Sequence, residues 1–128
     1  MGAWGTGPFD NDDAGDWVFE LEDDGVSAVR TALDLPAEST ADRDAAAVAA
    51  AAVVALAQGV DVESSAEVDD WLAAADPSTL DDVRALAPAA TAVLRRILDG
   101  SELAELHDEA DGEEWRERLV ALVDALRG

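Results

Sequence analysis

The chain has no cysteine, so it can form neither a disulfide framework nor a thiolate metal site. It has no lysine either: its 8 cations are all arginine, set against 30 Asp and Glu. The formal charge of -22 repels bare nucleic acid and anionic membrane surfaces, and attracts basic proteins and divalent cations. His107 is the single histidine, so no second imidazole is present to complete a zinc site. Aromatic residues make up 5% of the chain, which leaves few large anchors: Trp4, Phe9, Trp17, Phe19, Trp71 and Trp115. Long apolar runs are also missing. The longest, "AAAVAAAAVVALA" from Ala45 to Ala57, falls short of the roughly 20 residues that span a bilayer. It reads as a buried helix of a soluble protein. The first residues show no basic stretch followed by an apolar one, so the expectation is a cytoplasmic protein without a signal peptide. At 128 residues the simplest organisation is one domain, residues 1–128.

What is present is helical punctuation. Ala14, Trp17, Val18 and Leu21 fall on one face of a first helix, from about Asp10–Asp12 to Glu22. "DDG" stops it. Val26, Val29 and Leu33 mark a second, ending before Pro36. "STADRD" opens a long Ala-rich helix, about Ala41 to Gln58, ended by Gly59 and placed at the centre because small residues let neighbours approach. "SSAE" reads as a capping box, with Ser64 and Glu67 exchanging bonds. The helix it launches carries Val68, Trp71, Leu72 and Ala75 on one face. "DPST" caps the next, about Thr79 to Asp99, which Pro88 should kink or split. Asp111 should cap the last, with Trp115, Leu119, Leu122 and Leu126 inward. The expected fold is an all-α, compact single-domain bundle of about six or seven short helices, with a glycine-rich N-terminal arm packed on it.

The stretch that most resembles a site is "MGAWGTGPFDNDDAGDW", Met1 to Trp17. A calcium loop starting at Asp10 would need oxygen ligands at positions one, three and five, Gly at six and Glu at twelve. Asp10, Asp12 and Gly15 fit, but position five is Ala14 and position twelve is Leu21. Asp12, Asp13 and Asp16 are the residues a divalent metal would use. The glycines form no phosphate loop, because no Gly-Lys-Ser/Thr follows and phosphate would meet four aspartates. Gly2 and Thr6 match the myristoylation pattern, against a composition that looks prokaryotic and a bulky Trp4 in the recognised segment. His107 lies among Glu105, Asp108, Glu109 and Asp111, which would raise its pKa and make it a surface ion-pair member. Ser and Thr sit mostly at helix caps, so no nucleophile–base pair can be assembled. The sequence offers no catalytic residues and no cofactor site.

Packing explains most of the same stretch. With Asp10 as N-cap, Phe9 staples the first turn and Asp12 and Asp13 face the positive end of the helix dipole; with Asn11 as N-cap the same logic shifts by one residue. Asp16 is harder to place, since it shares a face with Asp12 and Asp13 at like charge. The expectation is that Asp12 or Asp16 accepts backbone N–H groups of the Gly2–Gly7 arm, or pairs with the α-amino group, while Trp4 and Phe9 pack on the core.

This opening resembles that of the bacterial family catalogued as domain of unknown function 4259, DUF4259. Met1, Gly2, Ala3, Trp4, Gly5, Gly7, Phe9, Asn11, Asp12, Ala14, Asp16 and Trp17 carry the match. Of these, Trp4, Gly5, Gly7, Phe9, Asn11, Asp12, Asp16 and Trp17 form the structural motif. The closing "SELAELHDEADGEEWRERLVALVDAL" is also similar to the family's. There the position of His107 is commonly aromatic, which implies a packing role for it. The resemblance implies a small, compact, mostly helical prokaryotic protein and brings no activity, cofactor or catalytic residue.

The functional reading that follows is a non-enzymatic acidic interaction domain, of immunity or antitoxin type, whose partner is a basic protein and not nucleic acid or membrane. Two alternatives stand beside it. One is a divalent-metal-binding protein or metal-dependent enzyme using the N-terminal aspartates. The other is a DNA-mimic protein whose carboxylates stand in for phosphates.

Overall fold

A computed structural model describes residue 9 and residues 12–36, 38–62, 64–109 and 112–127, with Asp12 described by its backbone alone. The described residues form eight α-helices: α1 (Asp12–Asp24), α2 (Val26–Leu33), α3 (Ala41–Ala57), α4 (Ala66–Ala74), α5 (Pro77–Arg84), α6 (Ala87–Asp99), α7 (Glu102–Glu109) and α8 (Glu113–Leu126). The all-α fold is as expected. The arm, with Trp4, Gly5 and Gly7, lies outside the described residues, as do Asp10 and Asn11.

The helix count exceeds six or seven because the expected Thr79–Asp99 helix is two. Asp76 caps α5 by accepting from the Thr79 N–H at 2.9 Å, and Pro77 starts it. The chain then breaks at Ala85 and Leu86. Pro88 takes a place in the first turn of α6, where its missing N–H would have had no intrahelical acceptor anyway.

α3 is the axis. It contacts α1, α2, α5, α6, α7 and α8, and every residue from Ala47 to Ala55 is buried. A helix that is apolar all round must be covered all round. The bulk it lacks comes from its neighbours: Leu21 of α1, Leu94 and Ile97 of α6 and Leu103 of α7 are almost wholly enclosed, each contributing about 1.5–3 kcal/mol of burial. The α3 C-terminus closes as expected at Gly59, whose φ is 87°. The Val60 N–H donates to Ala55 O and the Gly59 N–H to Leu56 O, each at 3.0 Å, the two bonds of a Schellman motif.

Three local expectations are corrected. The N-cap of α4 is Ser65, which accepts from the Val68 N–H at 3.3 Å; Ser64 instead donates to Ser65 O, so the Ser64–Glu67 box does not form. Ala75 is the residue after α4 rather than part of its face. The N-cap of α8 is Gly112, not Asp111, which lies outside the described residues. Gly112 approaches α7 so closely that a Cβ there would stand 2.7 Å from the His107 carbonyl carbon and oxygen.

Candidate functional site

Among the described residues of the N-terminal motif, Trp17 is the structural anchor. It is buried, and its indole N–H donates to Ala28 O of α2 at 3.4 Å. Phe9 packs on the edge of the core. Phe19, expected as an anchor, is 67% exposed: it lies on the α1 face opposite the stripe formed by Ala14, Trp17, Val18 and Leu21. Asp16 is exposed and Asp13 half-buried. The bonds expected between Asp12 or Asp16 and the arm involve residues outside the described set. No group of three or more His, Asp or Glu with metal-binding geometry occurs among the described residues.

His107 does not sit on the surface, and its pKa is lowered rather than raised. It is buried, and its ring stacks on Trp115 of α8 with centroids 4.5 Å apart and planes 6° from parallel. Burial pushes its pKa below the ordinary histidine value, and the Asp108 charge offsets part of that shift. The acidic neighbours that suggested a raised pKa lie along the chain, while the ring has turned inward. Asp108 is engaged with Arg116 through two bonds of 2.8 and 2.9 Å, which hold its carboxyl below the usual range.

The arrangement of charge is asymmetric. Three of the arginines reach inward to carbonyl oxygens of distant segments. Arg84 Nε donates to Ala57 O at the end of α3, at 2.7 Å. Arg96 donates to Leu35 O at 3.0 Å and to Pro36 O. Arg116 donates to Leu98 O near the end of α6, at 3.1 Å. Arg84 and Arg116 satisfy carbonyls that helix ends leave open, Arg96 satisfies two of the segment after α2, and the planar fork allows one side chain to bond two acceptors. The carboxylates go the other way. Among the described residues Asp44 is the one buried carboxylate, whereas Asp16, Glu20, Glu22, Asp23 and Asp24 of α1 are all exposed.

Within this acidic exterior lies a cleft of about 410 Å³ bounded by α1, α2, the segment after α2 and the start of α3. Trp17, Ala28, Leu35 and Ala46 supply apolar lining; Glu20, Asp24 and Asp34 supply carboxylates; Ser27 and Thr31 supply hydroxyls; and Arg43 stands at one side. Arg96, bonded to Leu35 O and Pro36 O, fixes the wall formed by the segment after α2. No local sequence pattern marks this cleft, because its carboxylates come from two segments with no common motif. Asp44 did leave a signal: it sits on α3 beside Ala41, Ala45 and Val48, a charge on an apolar stripe.

The model of a family described as Domain of unknown function (DUF4259) matches residues 2–118. Neither a curated protein nor a solved structure matches the chain.

Proposed function

The chain belongs to the DUF4259 family, and we propose that it is a non-enzymatic acidic interaction domain whose partner is a basic protein. One observation carries this reading: three of the eight arginines, Arg84, Arg96 and Arg116, are engaged with backbone carbonyls, while carboxylates cover the exterior of a chain charged at -22. Such a surface leaves a strong negative field to steer a cationic partner and to reject polyanions. No helix among the described residues is long and apolar enough to cross a membrane, which suits a bacterial cytoplasmic setting for such a pairing.

The test is affinity capture at about 50 mM salt, followed by calorimetry with the purified captured protein across rising salt. The expected result is a basic protein bound in fixed stoichiometry, with affinity falling steeply as salt rises. Capture of no partner at low salt, or of one whose affinity ignores salt, overturns the proposal.

A further inference from the structure

We propose that the cleft between α1 and α2 is the anchoring pocket for one arginine side chain of the basic partner. The inference rests on the reading of this chain as an acidic interaction domain and adds the place and chemistry of contact. A partner arginine brings a three-carbon stem and a planar guanidinium. The stem matches the apolar lining given by Trp17, Leu35 and Ala46, since long cationic side chains lay their methylenes on apolar surface while the head stays polar. The head matches the carboxylates of Glu20, Asp24 and Asp34, which can accept its N–H groups in pairs.

The dimensions agree with this occupant. About 410 Å³ lies within the roughly 300–1,000 Å³ of small-ligand pockets, enough for a long side chain and the backbone that carries it. The site is also held in shape before anything binds. Trp17 is tied to α2 through Ala28 O, and Arg96 ties the opposite wall, which lowers the ordering cost of binding. Arg43 is the one cation among the described lining residues. It repels the incoming guanidinium and competes for the same carboxylates, so it sets an upper limit on affinity.

The probe is N-acetylarginine amide, titrated at low salt into the full chain and followed by amide NMR shifts, with the neutral N-acetylcitrulline amide as control. Saturable shifts centred on Ser27, Thr31 and Asp34 are expected with the arginine compound and not with citrulline. The double variant Asp24→Asn/Asp34→Asn should weaken binding about fivefold or more. Glu113→Gln/Glu117→Gln, the same change of charge on α8, should leave it within about twofold. Arg43→Ala should tighten it. Shifts spread evenly over the acidic exterior, or equal weakening by the two double variants, overturn the pocket while leaving the basic-partner reading intact. Saturable binding in the cleft with no basic protein captured does the reverse.

Discussion

Asp44 and Glu102 cap each other's helices. The Glu102 carboxylate accepts from the Ala41 N–H at the start of α3, at 3.2 Å. The Asp44 carboxylate accepts from the Leu103 N–H at the start of α7, at 3.4 Å. Each acid thus meets the positive end of the other's helix, and one N–H left over by helix geometry in each first turn is satisfied. The arrangement does across space what a capping box does within four residues.

Its two halves should not be equal. Asp44 is 1% exposed, whereas Glu102 is exposed. Replacing Asp44 with Ala leaves the Leu103 N–H without this acceptor in a buried setting, and should cost about 1–3 kcal/mol. Glu102→Ala should cost about 0.5–1 kcal/mol. Urea unfolding of both variants checks the ranking; an Asp44→Ala loss no larger than the Glu102→Ala loss would refute it.

The stack of His107 on Trp115 predicts a pH dependence. Because the folded-state pKa of His107 lies below the ordinary histidine value of 6.5, the unfolded chain binds the proton more readily. The neutral imidazole's contribution is therefore fully present above pH 6.5 and is lost as pH falls below it toward the folded value. His107→Phe keeps an aromatic ring on Trp115 and cannot titrate. Melting temperature measured from pH 7.5 to pH 5 should decline for the parent chain and decline less for the variant; parallel curves would show that His107 does not titrate on unfolding.

Three glycines should respond to alanine in different directions. At Gly112 the new Cβ meets backbone atoms of His107 at 2.7 Å and Asp108 N at 3.0 Å; backbone cannot yield cheaply, so a loss of about 1–3 kcal/mol is expected. At Gly59 the space is open but φ is +87°, and the left-handed conformation costs an L-residue about 1 kcal/mol. Gly15 lies within α1 with nothing nearby, so alanine should stabilise by about 0.5–1 kcal/mol. Thermal melts of the three variants give the order.

The inward arginines should matter more than the outward ones. Arg96→Gln removes a cation bonded to two carbonyls of the segment after α2 and should destabilise by roughly 1–2 kcal/mol, below the full worth of a charged hydrogen bond because the side chain is only half-buried. Arg118 faces Glu114 at 4.0 Å on the exposed side of α8, and Arg118→Gln should change stability by less than about 0.5 kcal/mol. Added salt should narrow the difference little, since the Arg96 acceptors are carbonyls and not free charges. Equal losses from the two variants would remove the distinction between strap and surface pair.

Local sequence by itself determined the helical class, most helix boundaries and the identity of the central helix. Gly25 and Gly59 stop α1 and α3, Asp76 and Pro77 start α5, and the Ala-rich run admits no position but the middle. These outcomes follow from backbone sterics and capping, which act over four or five residues. Tertiary structure alone decided the rest. Asp44 and Glu102 find acceptor roles about sixty residues away, and Arg96 bonds to carbonyls equally distant. His107 turns inward to Trp115 although its chain neighbours are acids, and Phe19 turns outward although it is apolar. The cleft belongs to this second class, because Glu20 and Asp34 share no helix face and meet only when α2 folds back beside α1. Periodicity reports which face of a helix is apolar. Which polar group lies opposite that face depends on how the helices pack, and no local pattern carries that information.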